Sequence, residues 1–208
     1  MLGRAATQGP LRIASVAGAD ERSFLDIVGI SGAWNPTPGA DLVSVRSANR
    51  GQSKIDYWLR RSIDIDAVYD LSSGSVTSTV TVTLRNEAPA RGFPDYMLGN
   101  QLDLPIGTNS QQLTLYTPLA VNGITVDGQP GGARSRLELG VDAYIVRADI
   151  PPGAQTPITF QLEGAIDPGP DYRLDVLPQP LVSPDTLSVK VRAAGADPSP
   201  EPVYTGPI

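Results

Sequence analysis

The sequence predicts a mainly β protein: an antiparallel, immunoglobulin-like β-sandwich with a small α/β remnant at its N-terminal side. Three observations carry this. Ile63, Ile65, Ala67 and Tyr69, then Val76, Ser78, Val80, Val82 and Leu84, alternate with acids and threonines on both sides of an "LSSGS" turn. Strict alternation over two joined runs is the pattern of a hairpin with one face buried and one wet. Gly (21) and Pro (20) together make up about a fifth of the 208 residues without any period, which implies many turns between short elements rather than a collagen-like repeat. From residue 51 onward no helical period separates the apolar runs.

The first fifty residues read differently. In "PLRIASV", Leu11 and Ile13 alternate with Arg12 and Ala14, as in a short strand. "GADERSFLDIVGISG" follows as a helix, with Asp20 as N-cap, Glu21 in the electropositive first turn and Phe24, Leu25, Ile27 and Val28 on one face. "NPTPG" is a turn and "DLVSVRSAN" a second strand. Two short strands and one helix cannot close a core. Residues 1–50 are therefore expected as a truncated α/β segment leaning on the domain at 51–194, with 195–208, rich in Pro and poor in apolar residues, as a disordered tail.

Within 51–194 the strands follow in order. The 63–84 hairpin comes first. "NEAPARGFPDYMLGNQLDLPIGTN" is long and turn-rich, a connection of the kind that carries function or covers a sandwich end. "QQLTLYTPL" is a strand, and "NGITVDGQPGG" enters a tight turn at Asp127-Gly128. "RSRLELG", "DAYIVRADI", "TPITFQLEGAI", "DYRLDVLPQP" and "PDTLSVKVRA" complete the set.

Composition excludes several functions. The chain has neither cysteine nor histidine, which removes disulfides, thiol nucleophiles, Cys/His zinc sites and Ser-His-Asp triads. No cofactor or metal is implied, and no catalytic residue is assigned. A net charge of −6 argues against a nucleic-acid partner, whose phosphates need Lys and Arg. No apolar run approaches the ~20 residues that span a bilayer. "MLGRAATQGPLRIAS" lacks the apolar core of a signal peptide.

The densest chemistry lies in "KIDYWLRRSIDIDAVYD". Tyr57 and Trp58 would offer an apolar platform while Lys54, Arg60 and Arg61 hold an acidic sugar or polymer phosphate. The same residues would serve structure if an aromatic plugs the gap between residues 1–50 and the sandwich and the arginines stay at the surface. Asp64, Asp66 and Asp70 fall on the wet face of the hairpin. Glu87, Asp95, Asp103 and Asp167 are loop acids from which a glycosidase-type pair would be drawn, although their spacing does not require one. Asp167 and Asp171 lie close in sequence but lack calcium-loop spacing. Phe93, Tyr96 and Met97 in the long loop form a recognition surface or fold back as a cap.

Five stretches, "LRIASVAGADERSFLDIVGISG", "SKIDYWLRRSI", "NEAPARGFPDYMLGN", "LPIGTNSQQLTLYTP" and "YRLDVLPQPLVSPDTLSVKV", resemble in this order the C-terminal part of the domain of unknown function 4012 family of high-GC Gram-positive bacteria. The resemblance covers roughly residues 9 to 194. It implies an extracytoplasmic module of a membrane-anchored envelope protein, whose partners are the family's N-terminal anchored part and cell-wall polymer. It implies no catalytic residues, and the family's anchor and most of its central domain have no counterpart in this sequence. The expected function is a non-enzymatic accessory or interaction module. The alternative is a carboxylate-dependent enzyme acting on envelope polysaccharide.

Overall fold

The computed structural model describes residues 11–16, 18–167, 171–196 and 203–208. Two mixed sheets pack face to face. The five-stranded sheet has the order β10-β1-β4-β8-β7 and the seven-stranded sheet the order β12-β11-β2-β3-β9-β5-β6. The strands are β1 (Asp41–Asn49), β2 (Leu59–Tyr69), β3 (Ser75–Asn86), β4 (Asn109–Thr117), β5 (Ala120–Val126), β6 (Gln129–Pro130), β7 (Arg134–Glu138), β8 (Val141–Ile150), β9 (Gln155–Ala165), β10 (Leu174–Val176), β11 (Thr186–Ala193) and β12 (Tyr204–Pro207).

The core follows the predicted alternation. Val43, Val45, Leu113, Leu115, Val146 and Ile150 from one sheet meet Ile63, Ile65, Val80, Val82, Leu84, Ile158 and Phe160 from the other in one buried cluster. The β2–β3 hairpin pairs from Leu59↔Asn86 to Tyr69↔Val76. Its polar face is a threonine ladder. Thr81 and Thr159 share a hydroxyl contact at 3.1 Å, and Thr79 donates to Gln161 at 3.0 Å. Asp70 accepts from the Ser72 amide and hydroxyl, closing the turn as an Asx motif. The Asp127-Gly128 connection is the two-residue turn expected, with φ of 51° and 73°. Positive φ at both positions is the geometry that matches the twist of flanking strands.

The structure departs from the sequence reading at five places. The sheets are not wholly antiparallel, because β1 pairs parallel with β10 and β2 pairs parallel with β11. The division at residue 50 does not hold either. Strand β1 sits inside the five-stranded sheet between β10 and β4, and its first five residues are buried, so the sandwich begins near residue 41. The "LRIASV" run reduces to a single parallel bridge, Ile13↔Ser31.

The helix α1 (Ala19–Ile27) is capped by Gly18 rather than Asp20, and only Leu25 of its apolar face is buried. Phe24 and Ile27 remain 61% and 84% exposed. The tail was expected to be disordered, and residues 197–202 lie outside the described residues. Residues 204–207, however, form β12 against β11, from Thr186↔Pro207 to Val189↔Tyr204. A short polar strand there satisfies an edge that composition alone does not reveal.

Candidate functional site

The "KIDYWLRR" segment forms a 3-10 turn at Ile55–Trp58 that leads straight into β2. Its side chains divide by chain geometry. Ile55 points inward and, with Ala88 and Leu98, makes a second small core, against which Trp58 and Met97 pack. Leu98 belongs to a single helical turn, α2 (Asp95–Leu98), in the long loop between β3 and β4. The loop is tied to the turn by the Lys54 amide, which donates to Tyr96 O at 3.0 Å. Gly107, near its end, has φ +83°, and a Cβ there would lie 2.7 Å from Pro152, so the close return of the loop needs glycine.

Asn86 anchors the same loop from below. Its buried amide donates to Gly107 O at 2.8 Å and Ile150 O at 2.9 Å, and its carbonyl oxygen accepts from the Ala88 amide at 3.0 Å. The loop therefore both caps the sandwich, through Met97 and Leu98, and displays a surface. Trp58 sits edge-on to Tyr57 (5.3 Å) and to Phe93 (5.0 Å). Tyr57, Phe93 and Tyr96 are 59%, 47% and 67% exposed. Trp58 thus packs on the loop at 87–100. It does not plug a gap toward residues 1–50, as one sequence reading expected.

The three cations of the segment part company. Lys54 is exposed. Arg60 reaches Glu87 at 3.2 Å and donates to Tyr57 O and Leu59 O, framing the aromatic group. Arg61 is not a surface residue. Its guanidinium is buried and all five of its N–H donors are used. Nε and Nη2 grip Asp185 in a two-point ion pair, Nη1 donates to Ser47 Oγ at 2.8 Å and Gln179 Oε1 at 3.0 Å, and Nη2 also reaches Val45 O at 3.5 Å. Strand alternation explains it, since Arg61 shares the inward face of β2 with Leu59 and Ile63. Gln179 completes the arrangement by pairing its amide with the Ser47 backbone, N–H to Oε1 at 2.7 Å and Nε2 to O at 2.9 Å.

Beneath the aromatic group lies a polar cluster that sequence reasoning missed. Asp56 accepts from Gln111 Nε2 at 2.7 Å and Asn109 Nδ2 at 3.2 Å. Burial pushes its carboxyl up, and these two hydrogen bonds oppose the shift. Asn109 and Gln111 are fully buried on the inward face of β4, where the strand pattern calls for apolar residues. That break in alternation was the available signal.

Of the loop acids, Glu87 and Asp167 do not converge. Glu87 is held by Arg60 and Arg85. Asp167 lies beyond the far end of β3, beside Gly74 and Gly39. A 12-residue strand separates the two acids by roughly 35 Å. A glycosidase pair needs about 5 to 9.5 Å. Among the described residues no group of three or more Asp or Glu is arranged to hold a metal ion. No helix there is long and apolar enough to cross a membrane.

No family model matches the sequence, and no curated protein does. Among solved structures, a protein assigned as nutrient-binding from Legionella pneumophila is 16% identical, with 74% of this chain and 56% of that one aligned at a TM-score of 0.41. Leukotriene A4 hydrolase from Saccharomyces cerevisiae aligns over 71% of this chain and 25% of its own, at 11% identity and TM-score 0.39. An M1 zinc metallopeptidase from Deinococcus radiodurans aligns over 64% and 32%, at 14% and 0.34. The chain thus spans about half the length of the first and a third or less of the others. Similarity at this level carries no functional assignment.

Proposed function

We propose that this chain is a non-enzymatic interaction module of a bacterial cell-envelope protein, working outside the membrane, with the aromatic group at the β3–β4 end as its contact surface. One observation carries the proposal: Tyr57 and Phe93 stand exposed on either side of Trp58, with Tyr96 exposed on the same loop as Phe93, and that loop is held from below by Asn86 and Leu98. Exposed aromatic clusters on a rigid support mark interaction sites more often than scattered apolar residues do. Ring faces suit the apolar faces of sugars, and Lys54 and Arg60 at the rim suit acidic substituents. Cell-wall polymer is the partner this chemistry favours. The resemblance to the domain of unknown function 4012 family supports the extracytoplasmic setting and suggests a second partner, the family's N-terminal anchored part.

The test is retention of the purified chain on isolated wall polymer. Trp58→Ala and Phe93→Ala should each lower retention at least tenfold. Retention that survives both substitutions in folded protein would remove the aromatic group from the proposal.

A further inference from the structure

The outward face of the five-stranded sheet carries a charge pattern that its strand registers reveal. The core cluster takes Leu113 and Leu115 of β4 and Val146, Ala148 and Ile150 of β8, so the residues between them face outward. Arg147 lies directly opposite Gln112, and Arg134 directly opposite Ile145. Arg134 and Arg147 are therefore diagonal neighbours on one face, with Cβ atoms roughly 7–8 Å apart.

The acids of this face are already engaged. Asp149 pairs with Arg50, Glu138 with Arg136 and Asp175 with Arg173. Arg46 is tied to Pro178 O at 2.7 Å. Arg134 and Arg147 are exposed, and neither has a hydrogen-bond or ion-pair partner among the described residues. Both line an open groove where this sheet meets Val126 of β5 and the Gly131–Gly132 link; Arg136, which also lines it, is held by Glu138, and none of its lining residues is acidic.

Two adjacent like charges left unpaired in a chain of net charge −6 oppose each other unless an anion lies between them. We infer that this groove binds the phosphate groups of an anionic polymer, with Arg134 and Arg147 as paired guanidinium forks and Gln112 as a neutral donor beside them. The inference rests on the wall-polymer reading above and adds the charge of that polymer. Its surface is distinct from the aromatic group.

Long-chain inorganic polyphosphate, titrated calorimetrically into the full chain at low ionic strength, tests this directly. Arg134→Gln/Arg147→Gln should weaken binding at least tenfold. Arg85→Gln/Arg192→Gln removes the same charge from the seven-stranded sheet and should change binding less than threefold. Equal losses in both variants, or no binding by the unaltered chain, would overturn the inference. Orthophosphate binding as tightly as the polymer would overturn its polymeric part. Trp58→Ala protein should bind polyphosphate normally, so failure of the aromatic reading and failure of this one are read separately.

Discussion

Arg61 and Asp185 lie 124 residues apart in the chain and form a buried two-point ion pair with side chains 0% and 1% exposed. Desolvating two charges is costly, and the pair persists because Ser47, Gln179 and Val45 O take the remaining guanidinium donors. It holds β1, β2 and the start of β11 together at the seam between the sheets. Arg61→Ala should therefore destabilise the fold by about 3–5 kcal/mol, since it leaves the Asp185 carboxylate buried and unpaired. Urea unfolding with an unchanged m-value checks this. A loss under 1 kcal/mol would mean that water reaches the pair.

Removing the Asn86 side chain strands three backbone groups at once. Asn86→Ala should cost about 2–4 kcal/mol, given about 1–3 kcal/mol for each buried polar group left unmade and partial rescue by water. Amide exchange should show the cost concentrated in the 87–107 loop. Uniform loss of protection across the sandwich would show that Asn86 does not act locally.

Leu98 is fully buried in the small core with Ile55 and Ala88. Leu98→Ala should cost about 2–5 kcal/mol. It should also release Trp58, seen as a red shift of its emission. An unchanged emission spectrum in the variant would contradict the packing described.

Stability should fall as pH rises above about 4. Burial holds Asp41 and Asp56 above the usual carboxylate value of 3.8, with hydrogen bonds partly opposing it. Between that value and their raised folded ones, the folded state binds more protons than the unfolded state, so deprotonation favours unfolding. Asp70 and Asp175 are shifted down instead, Asp70 by its hydrogen bonds to Ser72, and Asp175 by its bonds to Thr37 and Arg173, which outweigh desolvation. What they contribute is present above 3.8 and disappears only at lower pH. Asp56→Asn should flatten the fall above pH 4. Urea midpoints measured across that range decide it, and a slope the same in both proteins would refute the assignment to Asp56.

Strand β12 covers the edge of β11 at Thr186–Val189. Deleting residues 203–208 should expose unpaired backbone beside Leu187 and Val189, lower the melting temperature and promote self-association. Light scattering against concentration reads this. A deletion variant that stays monomeric and equally stable would show the strand to be dispensable.

The sequence by itself determined the elements whose signal is local. Alternation placed the β2–β3 hairpin and chose its buried face, because side-chain direction in a strand reverses at every residue. Asp127-Gly128 marked the turn between β5 and β6, because few residues tolerate positive φ. Residue chemistry marked Tyr57, Trp58, Phe93 and Tyr96 as notable without saying which would be buried. Tertiary structure decided what depends on distant partners: that β1 belongs to the sandwich, that β10 pairs in parallel with β1 and β11 with β2, that residues 204–207 add a strand, and that Arg61 goes inside while Arg60 stays at the rim. Arg60 and Arg61 are chemically alike and adjacent. Their fates differ because one faces the core, where Asp185 arrives from 124 residues away, and the other faces Glu87 and water. Burial of a charge depends on the partner that meets it, and that partner is set by the fold rather than by the neighbouring sequence.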